Sequence, residues 1–154
     1  MGLGDIVKTQ TPVPIVVWRK AGASVPAIGL GAAFDTNGDV IQGINTTDGP
    51  LAVRSTESKT VSAVVYYQIL IWGMIVCRAG GAISPNKFVS LAASQEIIAT
   101  VTTASATYMQ GEIQALWRVL GMLMGTEASY ETNDFAVAAA ANQSLIVVFV
   151  GRTP

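Results

Sequence analysis

The chain has 154 residues, a net charge of −1, no histidine and one cysteine, so it lacks the commonest general base, the commonest transition-metal ligand and any intrachain disulfide. Its nine Lys and Arg residues are scattered without a basic stripe, which argues against a nucleic-acid partner. Hydrophobic residues make up 51% of the chain and charged residues 12%, against about 25% charged in typical soluble domains, so the chain either enters a membrane or buries much of its surface against other subunits.

Residues 1–20 are predicted to form an extended N-terminal arm. Two prolines separated by one residue disfavour a helix and favour an extended backbone. The apolar residues that follow are either the first strand of the domain or part of an arm that lies on a neighbouring subunit. The candidate partner-binding residues of this arm are Pro12, Pro14, Val16, Val17 and Trp18.

A tight turn is predicted at Asp35–Asp39, between two short strands, because it contains an Asn-Gly pair that tolerates positive φ. The acidic residues of this turn have the spacing of the first ligands in a calcium-binding loop. The glycine does not follow the third ligand, however, and the twelfth position is Thr46 instead of Glu, so we expect a hairpin and no metal. The polar segment 45–58 is predicted to be a loop with one short strand at Leu51–Arg54.

The apolar run from Val61 to Cys77 tests the membrane alternative. It has about 17 residues, whereas a membrane-spanning helix needs roughly 20. Gln68 lies in its middle, and its Val, Ile and Tyr content favours strands. We therefore predict two buried strands that meet near Gly73, with both faces of Val61–Ile71 covered, and no membrane partner. Cys77 is expected to be a buried, unreactive thiol.

The second half of the chain contains further strand candidates at Phe88–Ala92, Ile97–Thr103 and Leu145–Val150. The last of these is wholly apolar and needs partners on both faces. The segment Glu112–Met124 has two possible interpretations. Its helix propensity favours a helix, whereas its apolar content fits a buried strand that is broken by Gly121. Turn residues recur about every ten positions, which favours a mainly β architecture. Residues 21–154 are thus predicted to be a single β-rich domain, a small β-barrel or β-sandwich, preceded by the arm.

Residues 70–150 resemble a family of small phage virion proteins of the capsid decoration (cement) or head-associated type. The shared layout is a Gly-led strand, an AGGAI turn, a Lys-led strand, an alanine-ended strand, an RVLG strand and an apolar terminal strand. In this chain it reads Gly73–Val76, Ala79–Ile83, Lys87–Leu91, Glu96–Thr100, Arg118–Gly121 and Leu145–Val150. The resemblance implies a β-barrel-like subunit, commonly a trimer, on the outside of a capsid, with strand conformation at Arg118–Gly121.

The expected function is therefore structural, without enzymatic activity and without a cofactor. We expect a capsid decoration protein that binds the major capsid protein as a homotrimer, located in the virion on the outer surface of the capsid. The alternative is another virion component, such as a tail, baseplate or receptor-binding module. An enzyme of an unrecognised family is the third hypothesis.

Overall fold

Every regular element in the described part of the chain is a β-strand. The computed structural model describes residues 2–7, 13–44, 51–84, 88–99, 120–126 and 145–151. The strands in these ranges are β1 Ile15–Lys20, β2 Gly31–Phe34, β3 Val40–Gln42, β4 Ala52–Val61, β5 Val64–Arg78, β6 Phe88–Leu91, β7 Ile97–Ala99, β8 Gly121–Thr126 and β9 Leu145–Val150.

The strands form one curled antiparallel sheet with the shape of a half-barrel. Their order is β3-β2-β4-β5-β9-β8-β6-β7, and β1 pairs with β5 outside this path. The curl brings β7 back towards the end of β5, where Ala79 makes a parallel bridge to Ile97. The prediction of a mainly β, barrel-like fold is confirmed.

The central strand β5 pairs with different neighbours along its length. Its first half pairs with β4 and β1, and from Gly73 onward it pairs with β9. The prediction of two strands meeting near Gly73 is therefore wrong in number, because one strand of 15 residues passes through this position. The glycine marks the point at which the neighbours of β5 change, and the strand continues because hydrogen-bonding partners exist on both sides of that point.

The strands β4 and β5 form a long hairpin whose tip corrects two predictions. The strand β4 runs ten residues to Val61, although its second half lies in the segment predicted to be a polar loop. Its backbone pairing with β5 outweighs the polarity of its side chains. Val61, Val64 and Val65 are exposed, so the prediction that both faces of Val61–Ile71 are covered is wrong at this end. Residues 45–50 lie outside the described ranges.

The described parts of residues 1–20 pair with the central strand. Val7 donates a backbone hydrogen bond to the Met74 carbonyl, and Gly4 donates one to the Val76 carbonyl. Ile15–Lys20 form β1, antiparallel to β5. Of the two alternatives for this segment, the first strand of the domain is the one present in the structure, and contact with a neighbouring subunit stays a prediction.

The main core lies inside the curl of the sheet. It contains apolar side chains from most strands, and its members with the largest buried side chains are Leu70, Ile75, Ile83, Leu91, Ile97, Leu120, Leu123 and Ile146. A second cluster is formed by Ala32, Val40, Ala52 and Ile69. The strand β9 is paired on both edges, by β5 and β8, and most of its side chains are buried, as predicted for Leu145–Val150.

The turn at Asp35–Asp39 joins β2 to β3 as predicted. The Asp35 carboxylate accepts hydrogen bonds from the backbone amides of Asn37 and Asp39, at 2.8 and 3.0 Å. Gly38 has a φ of 80°, which glycine adopts without strain. The carboxylate therefore fixes the turn itself, as Asx residues commonly do.

The ambiguous segment 112–124 ends in strand β8. Gly121 is the first residue of this strand, and a Cβ atom there would overlap the backbone carbonyl of Phe149 on β9. The glycine thus permits the close approach of two strands where the sequence suggested a break. Arg118 and Val119, expected to be strand from the family resemblance, lie outside the described residues, as do residues 112–117 and 100–103.

Candidate interaction surface

The titratable side chains of the described residues do not assemble into a metal site. No group of three or more His, Cys, Asp and Glu residues in the described ranges is placed to hold a metal ion. Cys77 is fully buried, and burial raises the pKa of its thiol well above the ordinary value. In the same ranges, no helix has the length and apolarity to cross a membrane.

The tip of the β4–β5 hairpin brings three exposed apolar side chains together. Val61 and Val64 face each other across the turn, and their exposed fractions are 51% and 40%, with 41% for Val65. Ser62 and Ala63 form the turn, and both have positive φ, at 50° and 64°. A two-residue turn of this kind follows the right-handed twist of its strands and keeps the valines at the end of the hairpin.

Polar contacts fix the base of this hairpin. The Arg54 guanidinium donates a hydrogen bond of 2.7 Å to the Pro26 carbonyl and lies 4.2 Å from the centre of the Tyr67 ring. The Ser55 hydroxyl donates a hydrogen bond of 2.7 Å to the Gln68 side-chain carbonyl. The hairpin therefore projects from an anchored base, and its apolar tip is presented to solvent in a defined position.

The strand β1 lies beside the hairpin and adds an aromatic ring and positive charge. The Lys59 ammonium is 4.3 Å from the centre of the Trp18 ring. Lys20 and Asp39 form an ion pair at 3.5 Å. Arg19 lies between Trp18 and Lys20 on β1, so its side chain points to the opposite face of the strand. The hairpin surface, defined as Val61, Val64, Val65, Lys59 and Trp18, is thus apolar at its tip and carries an aromatic ring and a cation at its side.

The predicted partner-binding residues of the arm have different positions. Val16 packs against the main core and Val17 against the second cluster. Trp18 belongs to the hairpin surface, and Pro14 is half-buried before β1. Pro12 lies outside the described residues.

Sequence reasoning missed the valines of the hairpin tip. It took them as the start of a buried run, because the Ser-Ala turn carries no glycine, asparagine or proline to mark it. Two threonines before Val61, Thr56 and Thr60, could have indicated an exposed strand, since threonine is enriched in strands.

Comparisons of this chain with protein-family models, with characterised proteins and with solved structures gave no match. The fold defines a mainly β, barrel-like protein.

Proposed function

We propose that this chain is a structural protein of a phage virion, a capsid decoration (cement) protein that binds the outer surface of the shell as a homotrimer. The observation that carries the proposal is the anchored hairpin with three exposed valines at its tip. Exposed apolar side chains held together on a rigid element are characteristic of protein-binding surfaces. The resemblance of residues 70–150 to decoration proteins supplies the identity of the partner, the major capsid protein.

The proposed mechanism is burial of the hairpin surface against the shell. Covering the remaining exposed area of each tip valine contributes about 1 kcal/mol. The indole of Trp18 offers a larger apolar area beside the tip, and the ammonium of Lys59 favours a shell surface that carries carboxylates. A single hairpin would bind weakly.

Trimerisation would then strengthen the attachment. Three hairpins on one trimer bind as a multivalent unit, so that release requires several contacts to break together. Expansion of the shell would have to break the same contacts, which is how a decoration protein stabilises a capsid without chemistry.

The proposal is tested with capsids that lack this protein and are purified from the phage that encodes it. Labelled protein is titrated onto these capsids, and occupancy is measured by sedimentation of the particles. We expect the double variant V61S/V64S to bind at least about tenfold more weakly. The matched control is A93S, in the exposed turn between β6 and β7, which should bind as the unmodified chain does.

A substitution at Trp18 is a better test of β1 than deletion of residues 1–20. The deletion would remove Val7 and Val16, which pack in buried clusters. It would therefore disturb the fold, and a loss of binding could not be assigned to the surface of β1. Full occupancy by V61S/V64S at unchanged affinity would overturn the role of the hairpin. Density for the protein on the tail of imaged particles, and none on the head, would overturn the decoration function itself.

A further inference from the structure

The guanidinium group of Arg54 is held in place by contacts of both its backbone and its side chain. The Gly29 amide donates a hydrogen bond of 2.8 Å to the Arg54 carbonyl, and the Arg54 amide donates one of 3.1 Å to the Leu30 carbonyl. The side chain donates from Nη1 to the Pro26 carbonyl and packs against the Tyr67 ring. The guanidinium is therefore positioned by the fold and needs little reorganisation to bind a ligand.

One edge of this guanidinium has two donors without an acceptor. Among the described residues, neither Nε nor Nη2 of Arg54 has a hydrogen-bond partner. Nε is buried, whereas Nη2 retains contact with solvent. The N–H groups of these two nitrogens lie side by side on the planar group, where they match the two oxygens of an oxyanion such as a carboxylate or a phosphate.

The positive charge of Arg54 is not balanced within the described residues. No carboxylate of these residues forms an ion pair with it. The half-buried side chain lies at the margin of the second cluster, because Arg54 pairs with Ile69 of that cluster and contacts Tyr67, which packs against it. Withdrawing a cation from water without an anionic partner costs free energy. The bond to Pro26 uses Nη1 alone, so holding the loop before β2 does not account for the other edge.

We propose that the Nε–Nη2 edge of Arg54 is a binding site for a carboxylate group. The carboxylate approaches Nη2 from solvent, and its second oxygen bonds to Nε once the side chains that shield Nε move aside. The apolar surroundings strengthen such a charge-assisted pair.

The carboxylate site is separate from the hairpin surface. Trp18 and Lys59 pair with Gln68 and Tyr66 of β5, whereas the Arg54 guanidinium lies over Tyr67, which points to the opposite face. The inference therefore concerns a different surface and does not depend on the proposed decoration function.

The number of charges favours a carboxylate over a phosphate. Arg19 pairs with Tyr67 and shares its face, but the Arg19 guanidinium donates to the Trp18 carbonyl at 3.1 Å, so Arg54 alone faces the ligand. A carboxylate brings one negative charge, which one guanidinium balances. A phosphate group carries about −1.5 to −2 at pH 7, and the excess charge would lie beside the second cluster at a cost in free energy.

The first test follows the Nε–H signal of Arg54 in the nitrogen–proton correlation spectrum of the purified full chain. Sodium acetate replaces sodium chloride at constant ionic strength and neutral pH, and the spectrum of R54K assigns the signal by its loss. We expect the Arg54 signal to shift and to saturate at millimolar acetate, while the Arg19 signal shifts little. Inorganic phosphate, titrated in the same way, should bind more weakly than acetate.

The second test uses R54K to separate charge from geometry. Lysine keeps the positive charge and lacks the two-donor edge, so we expect acetate to bind R54K at least about tenfold more weakly. Binding to the folded state raises the thermal unfolding temperature, which gives the same readout for every variant. The matched control is R19K, whose arginine is exposed and should leave the acetate-induced rise unchanged.

Four results would overturn the inference. They are a shift of the Arg54 signal that never saturates, equal shifts at Arg19 and Arg54, tighter binding of phosphate than of acetate, or an equal acetate-induced rise of the unfolding temperature in R54K and the unmodified chain. The titration of the unmodified chain decides the question even if R54K does not fold.

Discussion

The ammonium group of Lys59 lies over the indole ring of Trp18, 4.3 Å from its centre. Lys59 is on β4 and Trp18 is on β1, and the two strands flank β5 on opposite edges. The contact therefore crosses the central strand and joins the hairpin to the segment whose partner-binding role the sequence suggested.

This contact should be measurable as a coupling free energy. A double-mutant cycle with K59M and W18L is expected to give about 0.5–1 kcal/mol, the usual value for an exposed cation–π pair. The measurement is the free energy of unfolding in denaturant for the four proteins. The control cycle pairs W18L with K20M, whose ammonium contacts Asp39 instead, and should give a coupling near zero. Equal couplings in the two cycles would contradict the prediction.

The turn of the hairpin should tolerate glycine better than alanine. Ala63 has a φ of 64°, a conformation that disfavours residues with a Cβ atom. We expect A63G to raise the free energy of unfolding by about 1 kcal/mol, measured by denaturant titration. The control A93G lies in an exposed turn without positive φ and should lower stability by about 0.5–1 kcal/mol. If A63G and A93G both raised or both lowered the free energy of unfolding, the prediction would be refuted.

The close approach of β8 and β9 makes Gly121 sensitive to substitution. A Cβ atom at this position would overlap the backbone of Phe149, which no side-chain rotation relieves. We expect G121A to lose about 3 kcal/mol or more of unfolding free energy. The matched control is G81A, where nothing lies within 4 Å of the added atom, and stability should change by less than about 0.5 kcal/mol. A G121A protein as stable as G81A would show that the strands separate without cost.

The buried thiol of Cys77 should make stability fall at alkaline pH. Burial raises the pKa of Cys77 in the folded state above the ordinary value of 9.0, so the thiol ionises first in the unfolded chain. The stabilisation is complete below that value and is lost as the pH rises above it. From about pH 8 to about pH 10.5, the contribution lost is about 2 kcal/mol.

The variant C77A isolates this effect from other groups that titrate in the same range. Below about pH 8, the unfolding free energy of C77A should be lower than that of the unmodified chain. The difference between the two unfolding free energies should narrow as the pH rises. Parallel pH profiles of the two proteins would mean that Cys77 contributes no such dependence.

The class of fold follows from local features of the sequence. Leu145–Val150 was recognisable as a strand with partners on both sides because all its residues are apolar and most are β-branched. The Asn-Gly pair determined the turn between β2 and β3, because few dipeptides adopt positive φ as easily. Local composition is sufficient for such features, since each depends on a few adjacent residues.

The tertiary structure alone decided which apolar residues are buried. Val61 and Val64 resemble Ile69 and Leu70 in hydrophobicity, yet the first pair is exposed and the second is fully buried. The difference arises because β5 continues beyond the layer of strands that covers its middle, and the extent of that layer depends on distant segments. The candidate interaction surface has the same origin: the hairpin surface is assembled from several strands, and long-range pairing determines which side chains share a face.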